Sequence, residues 1–210
     1  MSEKKLPDGW KIVKLGEVCE VKGGKRIPKG YSLIKENNGY PYIRITDMDD
    51  DGNIKLDDLH YVPLNVVNII KNYKISINDL FISVAGTIGV VGKIPQCLNN
   101  ANLTENADKL TNINQNQDYL KYFLKSDNIK NQIKESVTNN AQPKLAIDKI
   151  KNFTLHLPPL HIQQRIAAIL SKADEEVRLH KEITKKLEER NKGLSQKLLS
   201  GEIDLTNFNL

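Results

Sequence analysis

Pro158-Pro-Leu-His-Ile-Gln-Gln-Arg-Ile-Ala-Ala-Ile-Leu170 opens a run that ends at Lys197-Leu-Leu-Ser-Gly201. No proline interrupts it after Pro159. Pro158-Pro159 suits a helix entry, where a missing N–H costs nothing. Gly201 stands where a left-handed residue ends a helix. Between them Ile166, Leu170, Ala173, Val177, His180, Thr184, Leu187, Asn191, Leu194 and Leu198 recur at alternating steps of four and three. That is a coiled-coil seam, and Lys172, Glu175, Arg178, Glu182, Lys185 and Glu189 surround it with charge. At about 1.5 Å per residue the helix is roughly 60 Å long. A small domain cannot bury such a length, and the sequence offers no second helix to match it. The polar seam residues His180, Thr184 and Asn191 weaken a coil but fix its register. Gly193 costs about 1 kcal/mol relative to alanine, so the last turns are expected to fray.

The 210 residues leave room for one globular domain before this helix. The expected division is 1–157 globular, 158–201 helix and 202–210 tail. The fold class is α+β, a globular domain with a mixed β-sheet followed by one long coiled-coil helix. Trp10 to Val21 reads as a short helix or turn leading into a strand. Tyr40 to Thr46 alternates as a strand after the turn signal Asn37-Asn38-Gly39. Leu80–Val84 and Gly89–Ile94 read as strands around Ala85-Gly86-Thr87. Asp118 is placed to cap one helix carrying Leu120, Phe123, Leu124, Ile129 and Ile133. Phe153, Leu155 and Leu157 alternate in a last strand. The asparagine-dense stretch from Asn99 to Asn116 reads as a surface loop.

Composition excludes several classes. No apolar run approaches the roughly 20 residues of a membrane span. The N-terminus lacks the apolar core of a signal peptide. Cys19 and Cys97 are far apart, and His60, His156, His161 and His180 form no cluster. The reading is a reduced, cytoplasmic protein without structural zinc or another metal. Walker, dinucleotide and nucleophile-elbow motifs are missing, as is the Asn/Asp-Pro-Pro-aromatic tetrapeptide of amino-methyltransferases. Net charge is +5, a weak pointer to nucleic acid. The local pattern is stronger: Lys22, Lys25, Arg26, Lys29, Lys35 and Arg44 face Glu36 alone between positions 22 and 44. With Gly23, Gly24 and Gly30 among them, this stretch suits phosphate contact.

Two further motifs carry alternatives. Pro7-Asp8 followed by Glu20-Val21-Lys22 matches a loose nuclease pattern, in which Asp8 and Glu20 hold a divalent metal and Lys22 assists the nucleophile. Asp47-Met-Asp49-Asp-Asp51-Gly52, closing at Asp58, fits part of a calcium loop but lacks the final glutamate and flanking helices. It reads as a polar β-turn first.

Taken in order, six stretches resemble the specificity subunit of type I restriction–modification systems. They are Leu6-Pro-Asp-Gly-Trp10 with Leu15-Gly16, Gly39-Tyr-Pro-Tyr-Ile-Arg-Ile-Thr-Asp47, and Asp79-Leu-Phe-Ile-Ser83 with Gly86-Thr-Ile-Gly89. Gln142-Pro-Lys-Leu145, Leu157-Pro-Pro-Leu160 with Gln163/Gln164, and Lys197-Leu-Leu-Ser-Gly201 follow. His161-Ile162 departs from the family, which has an acidic residue just before the glutamine. The resemblance implies a target recognition domain at 1–157, a helical spacer after it and no catalysis in this chain. It implies double-stranded DNA and adenine methyltransferase subunits as partners. S-adenosylmethionine is then a cofactor of the methyltransferase, with none in this chain, and a restriction subunit can join. A full specificity subunit resembles two such units in tandem; here there is one.

From charge and loop position, the DNA-contact candidates are Lys22, Lys25, Arg26, Lys29, Arg44, Thr46, Lys93, Gln142 and Lys144. Lysines suit phosphates, while Arg26, Arg44 and Gln142 can address base edges. The dimerisation candidates are Ile166, Leu170, Val177, His180, Leu187, Asn191, Leu194 and Leu198. A twofold homodimer through this seam, antiparallel by the resemblance, would read two inverted half-sites around an unread gap. The helix caps their spacing at about 18 base pairs. The rival readings are a metal-dependent endonuclease using Asp8, Glu20 and Lys22, and a coiled-coil adaptor without DNA.

Overall fold

Trp10 to Val21 folds as a strand, a helical turn and a second strand: β1 (Lys11–Lys14), α1 (Leu15–Val18) and β2 (Glu20–Gly23). The Glu17 carboxylate reaches back to accept the Lys14 backbone N–H at 2.8 Å, which fixes the turn's entry. Next come β3 (Pro41–Ile43), β4 (His60–Tyr61), α2 (Leu64–Val67), β5 (Lys74–Ile75), β6 (Leu80–Ser83) and β7 (Val91–Lys93). Then follow β8 (Ala101–Leu103), β9 (Ala107–Thr111), α3 (Gln117–Leu124), α4 (Asp127–Ser136), α5 (Ile147–Lys151), β10 (Thr154–Leu157) and α6 (Leu160–Leu199). The computed structural model describes residues 6–136 and 143–203. It divides into two compact units, Met1–Ala167 and Ala168–Leu210.

The first unit is built on two four-stranded sheets. One is antiparallel, in the order β2-β9-β6-β7; the other is mixed, in the order β4-β3-β8-β5, with β3 and β8 parallel. Phe81, fully buried, projects between them with Ile43, Ile75, Ala101, Leu103 and Ala107. Removing such a side chain from water contributes about 1.5–3 kcal/mol. The other face of the antiparallel sheet packs Val21, Leu80, Ile82 and Leu110 against α1, α3, α4 and α5. Behind the mixed sheet, Tyr42, Val62, Val66 and Ile70 form a third, smaller cluster. A separate two-stranded sheet joins β1 to β10, with Val13 opposite Leu155.

Four expectations are corrected. The stretch 99–116 is not a surface loop: it supplies β8 and β9, both central strands, with Ala101, Leu103, Ala107 and Leu110 essentially buried. Asp118 does not cap the helix; the Asn116 side chain does, accepting from the Tyr119 N–H at 2.9 Å. What reads as one helix is two, because the turn at Lys125-Ser126 separates α3 from α4. The strand β1 also exceeds the expected helix or turn, since its partner lies at the far end of the unit, beyond any local pattern.

Helix α6 runs 40 residues without a break, through Gly193, and stops at Gly201 with φ +73°. Its first two turns fall within the first compact unit, which runs to Ala167. The reason is Gln163, which is 1% exposed. Its carbonyl oxygen accepts the Asn116 N–H at 3.1 Å, and its amide donates to Gln115 and to the Pro158 carbonyl. From Ala168 to Lys192 every residue of the second unit is exposed.

Candidate nucleic-acid interface

The exit of β2 is fixed by a backbone approach that only glycine permits. A Cβ on Gly24 would lie 2.0 Å from the Thr104 carbonyl oxygen. Without one, Gly24 N–H donates to Ala107 O at 3.1 Å and Lys25 N–H to Leu103 O at 2.8 Å. Lys25 and Arg26 are thereby held beside the β8–β9 turn. The Lys25 ammonium lies 5.5 Å from the Tyr73 ring centroid, and Tyr42 donates its hydroxyl to the Lys25 carbonyl at 2.8 Å. Burial pushes the Tyr42 hydroxyl up to about 12, so it stays a donor. Arg26 reaches Glu105 with Nε at 2.5 Å, and this pairing raises its own pKa further.

A second segment arrives from far along the chain. Lys144 forms an antiparallel bridge with Ala85, and Leu145 N–H donates to Val84 O at 2.9 Å. The 83–90 loop behind it is organised by buried Ser83, whose hydroxyl donates to Thr87 O at 2.5 Å and accepts from Val90 N–H at 2.8 Å. Gly86 sits within 3.8 Å of the Ile45 side chain by its Cβ position, which brings the turn carrying Thr46 alongside. Lys25, Arg26, Thr46 and Lys144 thus come from three separated segments, while Lys22 lies on the face of β2 opposite the one where Gly23 meets Asp108. Lys25, Arg26, Thr46 and Lys144 are exposed, and Lys22 is half-exposed with its ammonium 2.6 Å from Glu20.

Other candidates stand elsewhere. Lys29 is exposed in the loop between β2 and β3, with no tie to this cluster. Lys93 is opposite Leu80, at the other end of β6 from Ala85, roughly 17 Å along the strand. It pairs with Asp118 at 3.0 Å. Arg44 is engaged in its own turn: its guanidinium meets the buried Asp47 carboxylate at 2.5 Å, the Asp58 carbonyl at 3.0 Å and the His60 ring at 3.2 Å. Its pKa is raised, with the Asp47 hydrogen bond as the largest cause. Gln142 lies outside the described residues.

In the two metal motifs Glu20, Asp47, Asp49 and Asp58 are already engaged. Glu20 takes Lys22 and the Asn112 amide, which hold it below the usual carboxylate range. Asp47 is taken by Arg44, Asp49 accepts the Asn53 N–H at 2.8 Å, and Asp58 meets Lys35 at 3.0 Å. Gly52, at φ +78°, closes a tight polar turn against β7. Among the described residues no group of three or more His, Cys, Asp or Glu is placed to hold a metal ion. No helix of the described residues is long and apolar enough to cross a membrane.

Beneath the cationic cluster the structure places a cleft of about 460 Å³, lined by Gly23, Gly24, Glu105, Asp108, Lys144 and Ile147 among others. Glu105 and Asp108 escape a reading of the sequence because their stretch passes for loop. β9 carries no strict alternation to reveal them, because its Ala107 and Leu110 face different cores.

A family model described as the type I restriction modification DNA specificity domain matches residues 7–189. Two curated relatives come from Methanocaldococcus jannaschii. One is the type I restriction enzyme MjaVIII specificity subunit, 23% identical over 97% of this chain and 48% of that protein. The other is the putative type I restriction enzyme MjaX specificity subunit, 28% identical over 93% of this chain and 46% of that protein. The chain spans about half the length of the curated relatives it matches. Among solved structures, the HsdS subunit of Thermoanaerobacter tengcongensis is similar with TM-score 0.63 and 22% identity. That match covers 100% of this chain and 53% of the other. A chain from a study of complex assembly and conformational transition of the type I R-M system gives TM-score 0.69 at 22% identity, covering 95% and 47%. At these identities the structures testify to the fold.

Proposed function

The chain belongs to the type I restriction modification DNA specificity domain family, and from that premise we propose that it reads DNA sequence for a methyltransferase complex. In this reading it does no chemistry itself. It positions adenine methyltransferase subunits, which carry S-adenosylmethionine, on double-stranded DNA in the cytoplasm, and a restriction subunit can join them. One observation carries the proposal: Lys25, Arg26 and Lys144, far apart in sequence, are exposed cations beside one cleft, the first two through the Gly24 approach to the β8–β9 turn and the third through its bridge to Ala85, with Thr46 next to Ile45 at the Gly86 turn. Such convergence suits a phosphate backbone crossing several segments at once.

Within that surface the roles divide by what each side chain already holds. Lys25 and Lys144, exposed and cationic, serve phosphates. Arg26 can exchange Glu105 for a base edge or a phosphate. Gln142, outside the described residues, stays a candidate for a base contact. Arg44 orders the Ile45–Asp47 turn, which presents Thr46. The nuclease alternative lacks support, because Glu20 is already bound by Lys22 and Asn112.

The seam of α6 supports homodimerisation. Leu170, Val177, Leu187 and Leu194 are 38–53% exposed in the single chain, and stripes of this kind are covered by a partner helix. A twofold pair then reads the same bases on opposite strands.

Salt dependence tests the DNA reading. With the methyltransferase present, affinity should fall steeply with salt. Lys25→Ala should weaken all sequences alike and reduce the slope by about one. Salt-insensitive binding, or none, overturns the reading.

A further inference from the structure

Asp108 lies on β9, opposite Gly23 of β2 and Ile82 of β6. It is 4% exposed, and its Oδ2 has no hydrogen-bond partner among the described residues. Burial pushes its carboxyl up to about 6, with Lys144 pulling the other way. Buried carboxylate oxygens in native proteins are normally paired, and one that is not calls for an explanation. Here the unpaired oxygen belongs to a residue lining an open cleft. On the β2 side the residue opposite is Gly23, so no side chain stands over Oδ1 there. A Cβ on Gly23 would fall 3.6 Å from Asp108 Oδ1 and 3.8 Å from Ile147 Cδ1, so any side chain beyond alanine would fill the space over the carboxylate.

The other acids of the cleft are engaged. Glu105 takes Arg26 and the Thr104 hydroxyl. Asp148, on the rim, lies 3.8 Å from Lys151. Asp108 is left as the acceptor in want of a donor.

Lys25 and Arg26 follow Gly24, and Lys144 lines the opening beside Glu105 and Asp148. The reading of the chain as a DNA specificity subunit says which donor enters. The donors that duplex DNA presents in its major groove are the amino groups of adenine N6 and cytosine N4. The carboxylate torsion of aspartate is soft, so turning an oxygen toward the opening costs little.

We propose that Asp108 is a specificity-determining residue: its unpaired carboxylate oxygen accepts a hydrogen bond from the exocyclic amino group of an adenine or cytosine facing the cleft. It sets one position of each half-site. Gly23 keeps the approach open, and Lys144 both anchors the adjacent phosphate and balances the acid's charge. The inference rests on the reading of the chain as a DNA specificity subunit.

The experiment is selection from a random duplex library by the chain with its methyltransferase subunit, comparing wild type, Asp108→Asn and Gly23→Val. At one position wild type selects adenine or cytosine. An amide can donate as well as accept, so Asp108→Asn should admit guanine and thymine there, through O6 and O4. Discrimination should fall by about tenfold or more. Gly23→Val narrows the approach over the carboxylate while leaving the acid itself in place, and should flatten the same position. Both variants should keep the wild-type salt slope, since no phosphate contact is lost. Unchanged preference in both variants, or a uniform loss across sequences, overturns the assignment. So does loss of methyltransferase assembly with base preference intact, which would make the cleft a protein-docking site. If wild type selects no sequence at all, the functional reading fails, and the assignment with it.

Discussion

Asp108 carries a cost that its neighbours do not remove. Its carboxyl titrates near 6 in the folded chain, above its ordinary 3.8, because burial disfavours the charge. A raised folded value means that the folded state binds the proton more tightly. Stability therefore falls as pH rises through the window from about 4 to about 6, and stays lower above it. Asp108→Asn should gain on the order of 2 kcal/mol at pH 7.5 in urea unfolding, and the gain should vanish near pH 4. A variant no more stable than wild type at pH 7.5 would show that the folded chain pairs this acid after all. At this scale the sequence is an uneven guide. Lys25 and Arg26 are legible as surface cations because charge and glycine neighbours mark them, and Lys144 by its charge beside Pro143. The engagement of Arg44 with Asp47, Asp58 and His60 is not, since it depends on a turn and on β4 reaching the same place.

Among the elements, α6 is legible to within a residue or two at both ends. A helix announces itself through local periodicity, proline at its entry and glycine at its exit. Strands β8 and β9 are not legible, because asparagine and short length hide them and their partners β3, β5, β2 and β6 are distant in sequence. Nor does periodicity show that α6 starts inside the globular unit. Gln163 does that, by filling three polar partners under cover. Gln163→Ala strands the Asn116 N–H and the Pro158 carbonyl, and should destabilise the globular unit by about 2 kcal/mol in chemical unfolding. An unchanged midpoint would mean that water replaces the amide. The seam answers to a different measurement. Leu187→Asp places a charge in the middle of the apolar stripe and should leave the unfolding of unit 1–167 unchanged. By sedimentation at micromolar concentration with the methyltransferase present, it should convert a complex holding two copies of this chain into one holding a single copy. If two copies persist, they pair by another surface.

For the whole molecule, the two-sheet unit and the helix serve one purpose in this account: a reader and the means of doubling it. Two identical readers related by a twofold axis address identical bases on opposite strands. The roughly 60 Å of helix limits the centre-to-centre distance of the half-sites to about 18 base pairs. The Methanocaldococcus relatives are about twice as long as this chain, and a tandem subunit is free to read two unrelated halves. The central claim is therefore tested most directly by mapping methylated adenines on a random-sequence duplex library treated with the 210-residue chain, its methyltransferase and S-adenosylmethionine. The account predicts one sequence motif, made of two inverted copies of a half-site around a gap of fixed length and free composition. Unrelated halves, a single uninterrupted site, or methylation without sequence preference would contradict it.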